Sequence, residues 1–181
     1  IYTRTSDKFI ELEERAQIAN KNGADLFISI HCNSLPRSTP EARKQGIYGT
    51  ETYIMGMHTS DANFDVAKRE NAVILMEEGS KETYEGFDPN SPESYILFSL
   101  YQSAYMENSL RLAEKIEKQF KERVRRKSRG VRQAGFWVLY RTSMPSVLVE
   151  TGYLSNTNEE KYLSDPYGQT LIASGLFRAF R

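Results

Sequence analysis

The chain has 181 residues, 39% of them apolar and 27% charged, the size and balance of one globular domain with a single sizeable core rather than of a disordered or fibrous chain. Lys plus Arg and Asp plus Glu both number 24, so net charge gives no reason to look to nucleic acid or an anionic membrane as partner. A single cysteine, Cys32, excludes an internal disulfide and a multi-cysteine metal knot, and no stretch approaches the roughly 18 apolar residues of a membrane span.

The opening "IYTRTSD" carries no initiator Met and reads like the tail of a strand, so the expectation is an N-terminally incomplete domain. Over residues 9–22, Phe9, Leu12, Ala16 and Ala19 recur at spacings of three and four among charged residues, the pattern of an amphipathic helix. Ser6 or Asp7 is its expected N-cap and Gly23 its end. "ADLFISI" follows without alternation, as a strand covered on both faces does. A helix feeding such a strand points to α/β architecture: one domain, with a mixed, mostly parallel sheet and helices on both faces.

Residues 34–48 read as a charged, Pro-containing loop, 49–56 as a strand, and 60–78 as a capped helix with an apolar end. A polar loop covers 79–94. A long helical stretch is expected over 95–126, its inner stripe formed by Leu110, Ala113, Ile116 and Phe120. "AGFWVLYRT" (134–142) and "PSVLVETGYLSN" (145–156) read as strands, and two helices close the chain. The basic run "KERVRRKSRGVR" (121–132) is either a solvated helix end, where cations are favoured, or a contact for an acidic polymer.

Two apolar runs each terminate in a group that burial would penalise: His31 after "FISI" and Glu150 after "SVLV". Ligands of open α/β sheets gather outside the carboxyl ends of the strands, so these two converge on a metal or acid–base site, unless each is only a satisfied structural group. Cys32 beside His31 has no second cysteine to suggest a nucleophile, and neighbours on a strand point to opposite faces. Asn33 and Ser34 suit a turn, Ser155 and Asn156 a helix cap, and Arg4 and Arg15 structural ion pairs.

"TRTSDKFIELEERAQIANKNGADLFISIHCNS" and "GFWVLYRTSMPSVLVETGYLSNTNEEKYLSD" resemble, in wording, order and spacing, the zinc-dependent N-acetylmuramoyl-L-alanine amidases of the cell-division type. The resemblance implies that His31, in "S-I-H-x-N", is a zinc ligand and that Glu150, in "V-E-x-G", is the catalytic acid/base. It implies cleavage of the amide between N-acetylmuramic acid and L-alanine of peptidoglycan, and hence a periplasmic or cell-wall location. The family's other two zinc ligands, a histidine and a glutamate, are expected upstream of Ile1, the alternative being a metal-free relative. Residues 57–106 resemble a helical insert that is autoinhibitory until an activator protein displaces it. Glu70 or His58 is the candidate for its plugging group. The rival readings are a catalytically silent muropeptide-binding relative and a metallopeptidase cutting elsewhere in the peptide stem.

Overall fold

A computed structural model describes residues 1–99 and 104–181. Its first helix starts later than expected: α1 spans Leu12–Lys21, burying Leu12, Ala16 and Ala19, while Phe9 lies outside it and half exposed. Neither Ser6 nor Asp7 caps it. Leu12 N donates to Glu77 Oε1 (3.2 Å), Glu13 N donates to the Tyr84 hydroxyl (3.3 Å), and Tyr84 in turn donates to Glu77. A carboxylate brought from far along the chain satisfies the free N–H groups and the helix dipole as a local cap would. Gly23 ends the helix at φ 58°, as expected.

Strand β1, Phe27–Asn33, runs past Ile30, so His31 lies within it. Ile30 is 61% exposed, so this outer strand is not covered on both faces as expected. The loop after it contains a short helix, α2 (Glu41–Gly46), and β2 is Thr50–Met55, buried at every position. The expected helix over 60–78 divides. α3 spans Asp61–Asn71 with Ser60 accepting from Asn63 N, and the apolar "AVILM" tightens into a 3-10 turn, Ala72–Met76. Short helix α4 (Ser80–Thr83) and a 3-10 turn at Pro92–Tyr95 occupy the expected polar loop and its end, and α5 (Ile96–Ser99) lies at the start of the expected long helix. Of the long helix expected over 95–126, residues 100–103 lie outside the described residues, and α6 is Met106–Glu122. Ala113, Ile116 and Phe120 form its buried stripe; Leu110 is 37% exposed.

Two corrections concern residues 121–142. The basic run is not simply a helix end: it leaves α6 and becomes strand β3, Ser128–Ala134. "AGFWVLYRT" is not a strand but supplies α7, Trp137–Tyr140. The cause is Asn71, whose Nδ2 donates to Gly135 O (2.8 Å) and whose Oδ1 accepts from Trp137 N (2.9 Å), taking the groups a strand ladder would use. Gly135 is also packed so closely that a Cβ there would clash with the Phe98 ring. Strand β4 (Ser146–Tyr153) and helices α8 (Thr157–Ser164) and α9 (Pro166–Phe180) complete the chain.

The sheet has the order β1-β4-β2-β3. β2 and β4 are antiparallel, with Glu51 opposite Glu150, Thr52 opposite Val149 and Tyr53 opposite Leu148. The other two pairs are parallel: Phe27 N→Pro145 O and Leu154 N→Asn33 O bracket β1/β4, and Thr50 N→Lys127 O and Gly56 N→Ala134 O bracket β2/β3. This is the mixed, mostly parallel α/β sheet that the sequence suggests.

The residues of this domain cluster in two compact units. The first (Ile1–Phe27, Ile54–Glu107, Arg132–Ser146) packs α1 against α7. Glu13 is its polar centre, accepting from Trp137 Nε1 (3.0 Å) and Arg141 Nε (3.1 Å). Burial alone would raise the Glu13 carboxyl, but these donors and Gln17 hold it below its ordinary range. Arg15 donates to Ile10 O and Arg4 to Lys8 O, and the charges of Glu77 and Glu70 also act on Arg15. Residues 57–98 are part of this core, since Asn71, Tyr84, Tyr95 and Phe98 are all buried in it.

The second unit (Ile28–Tyr53, Asn108–Val131, Val147–Arg181) is tied by charged side chains turned inward. Arg126 makes two bonds to Glu159 (2.7 and 2.6 Å) and lies 4.5 Å over the Tyr162 ring. Glu159 also accepts from Gly49 N (3.0 Å) and Tyr153 N (3.3 Å). Asn156 caps α8 by accepting from Asn158 N and Glu159 N, as expected, and donates to the carbonyls of Lys44, Gln45 and Ile47. Glu117 of α6 is buried and accepts from Thr50 (3.0 Å), Thr52 (2.7 Å) and Ser128 (2.6 Å) hydroxyls.

Asn71→Ala leaves Gly135 O and Trp137 N buried without their bonds, a cost of about 3 kcal/mol, read as a fall in melting temperature of roughly 6–12 °C. Burial raises the Glu117 carboxyl above its ordinary 4.5, with the three hydroxyls only partly opposing it. The folded state therefore holds this proton more tightly than the unfolded chain, and that stability is full below pH 4.5 and lost as pH rises through the folded value. Glu117→Gln removes the loss, so the variant's melting temperature relative to the parent's climbs as pH rises above 4.5.

Candidate metal and acid–base site

The site is assembled by two neighbouring strands of the second unit. β1 and β4 run parallel, and the Thr151 hydroxyl donates to His31 O (2.9 Å), which sets His31 level with the centre of β4. His31 is half-buried, with the Ser29 hydroxyl 3.0 Å from Nε2. Glu150 is fully buried. The ligand atoms of the two side chains lie within 4.8 Å of one another. Both residues sit inside their strands rather than at the strand ends, because the β1/β4 ladder continues to Leu154 and Asn33.

An imidazole nitrogen and a carboxylate oxygen at this separation are donors suited to a divalent ion such as zinc. A carboxylate with no solvent exposure is stabilised by a cation nearby. The residues present therefore fit a metal-assisted acid–base centre, in which one group ligates and the other exchanges a proton.

The neighbours divide as their chemistry dictates. Cys32 is exposed, its Sγ 3.4 Å from the Thr151 hydroxyl. Asn33 turns the chain, accepting from Ser34 N (2.8 Å), and Ser155 accepts from Leu35 N (3.1 Å). His58, in the first unit, stacks at 4.8 Å on Phe64 and edge-on at 6.4 Å to Tyr95, so it serves aromatic packing.

Glu51, Tyr53, Arg129 and Tyr153 escaped the sequence reading. Glu51 is the cross-strand partner of Glu150. It accepts from Arg129 Nε (2.5 Å), from Tyr53 (2.9 Å) and from Tyr153. Burial raises the Tyr53 and Tyr153 phenols, and the carboxylates of Glu51 and Glu150 raise them further, so both stay protonated as donors. Burial pulls the Arg129 guanidinium down, but the bond to Glu51 more than offsets it. The available signal was "ETY" within an apolar strand, which places Glu51 and Tyr53 on one face.

The family model for N-acetylmuramoyl-L-alanine amidase matches residues 1–181. Among curated relatives, the amidase AmiA of Salmonella typhimurium is 36% identical over 182 residues, covering 98% of this chain and 60% of its own length. AmiA of Escherichia coli is 35% identical over 174 residues, covering 96% of this chain and 57% of its own. The chain thus spans about 60% of the length of the curated relatives it matches. Among solved structures, the amidase AmiC2 of Nostoc punctiforme superposes with a TM-score of 0.63 at 27% identity, covering 99% of this chain and 68% of that one. Matched from its first residue to its last, the chain belongs to the N-acetylmuramoyl-L-alanine amidase family.

Proposed function

We propose that the chain is the catalytic part of a peptidoglycan hydrolase that cuts the amide between N-acetylmuramic acid and the L-alanine of the stem peptide. The observation that carries the reading is the approach of His31 and Glu150, from separate strands, to within 4.8 Å. His31 would hold a zinc ion, its ring oriented by the Ser29 hydroxyl. When bound, zinc lowers the pKa of its water toward about 7 and polarises the scissile carbonyl. Glu150 takes the proton from the attacking water and returns it to the leaving amine, and its complete burial keeps bulk water from competing for that proton. The substrate implies a place outside the cytoplasmic membrane. Among the described residues no helix is long and apolar enough to cross one.

We extend the reading to residues 57–106 as a restraining insert that an activator protein engages. Leu75 and Met76, 56% and 83% exposed in the 3-10 turn after α3, support a protein contact there. The insert is built into the core of the first unit, so its role is tested by point changes rather than by excision.

Glu150→Gln in the full-length, zinc-loaded protein lowers release of stem peptides from purified sacculi by about 10²–10⁴-fold, while sedimentation with sacculi is unchanged. Mass spectrometry of the released fragments finds peptides beginning with L-alanine. A variant that still turns over, or peptides cut at another amide, excludes the assignment. Glu70→Ala, on α3, raises basal release several-fold if the insert restrains the enzyme through this carboxylate, and an unchanged rate removes Glu70 from that role.

A further inference from the structure

The polar row that contains His31 and Glu150 continues across the whole sheet. His31, Glu150, Glu51 and Arg129 stand on successive strands in the order β1-β4-β2-β3. Glu51 and Glu150 are cross-strand partners, so their side chains leave the same face. The bonds Thr50 N→Lys127 O (2.8 Å) and Gly56 N→Ala134 O (3.3 Å) set β3 so that Arg129 lies beside Glu51. The row thus begins at a half-buried imidazole, passes two buried carboxylates and ends at a guanidinium whose side chain is 28% exposed.

That guanidinium is held in place rather than merely paired. Its Nε is bound to Glu51 Oε1, and its Cζ lies 5.6 Å from the Tyr153 ring centre. Tyr153 and Tyr53 both donate to the same Glu51 carboxylate and so fix the anchor from two further directions. An arginine tethered through Nε presents its Nη donors in a fork of fixed orientation, the geometry that recognises a carboxylate. None of this is needed to ligate a metal at His31 or to move a proton at Glu150.

We propose that Arg129, positioned by Glu51, Tyr53 and Tyr153, is a substrate-carboxylate subsite of the hydrolase inferred above, which takes an acidic group on the stem peptide. Two strand spacings separate Glu150 from Arg129, about 10 Å. An extended peptide advances about 3.3–3.6 Å per residue, so a chain whose scissile amide lies at His31 and Glu150 brings its second or third residue to Arg129. A free carboxylate at that residue is bound, and the corresponding carboxamide is discriminated against.

The test uses the full-length, zinc-loaded protein and two synthetic tripeptides beginning with L-alanine. One bears free carboxylates on its second and third residues; in the other these groups are carboxamides. Calorimetry gives the free-acid peptide an affinity about 10-fold higher, since charge-assisted bonds are about twice as strong as neutral ones. Arg129→Gln erases that difference, Arg129→Lys keeps part of it, and Lys127→Gln, which removes the adjacent charge, leaves it intact. In turnover of matched muramoyl tripeptides the same preference falls on KM rather than kcat. Equal binding of the two peptides by the parent protein overturns the subsite without any variant having to fold. A preference that survives Arg129→Gln overturns it as well. Because binding is read apart from turnover, a protein that releases nothing from sacculi refutes the hydrolase reading while the carboxylate preference is still decided by affinity.

Discussion

The antiparallel register of β2 and β4 is the constraint on which the rest of the second unit depends. It places two glutamates, Glu51 and Glu150, side by side in the middle of a buried sheet. Adjacent like charges with so little solvent are costly unless each is answered by donors or a cation. Glu51 is answered by Arg129 and two tyrosines, which draw β3 and both ends of the β2/β4 pair around it. On the other side of Glu150 runs the strand that carries His31, whose ligand atom lies within 4.8 Å of the carboxylate, the distance at which a shared cation would answer it. A slip of one residue between β2 and β4 would put the two carboxylates on opposite faces and dissolve both arrangements.

The same logic of remote satisfaction governs the first unit. Glu77 and Tyr84 serve the start of α1, Asn71 serves the start of α7, and Glu13 joins α1 to Trp137 and Arg141. In each case a polar side chain from one element closes the open backbone or charged groups of another. These bonds make residues 57–98 part of the core rather than an appendage on it, whatever regulatory task the segment also has. They also explain why this unit needs buried glutamates: they are its joints.

How much of this was legible depended on whether the deciding partner was near in sequence. Periodic apolar spacing located α1 and α6, and unbroken apolar runs located β1 and β4, because apolar patterning is written locally. His31 and Glu150 were legible because a charge-bearing group after a β-branched run is conspicuous. β3 was hidden by the arginines in and just before it, which resemble surface until Glu51 and Glu159 are known to receive Arg129 and Arg126. α7 was hidden for the opposite reason: "FWVLY" has high strand propensity, and only Asn71, 64 and 66 residues away from its two backbone partners, redirects it. Ser6 and Asp7 had the right chemistry for a cap and lost to a carboxylate no local rule would nominate.

Asn156 carries a consequence of a different kind. Its oxygen starts α8, and its amide nitrogen gathers the carbonyls of residues 44, 45 and 47. Those acceptors are all main-chain atoms, so the grip is indifferent to which side chains the gripped segment bears. Residues 44–47 can accordingly change side chain without loosening this grip, while the asparagine itself has little latitude. Tolerance in the gripped segment and intolerance at the gripping residue are two faces of a single clamp.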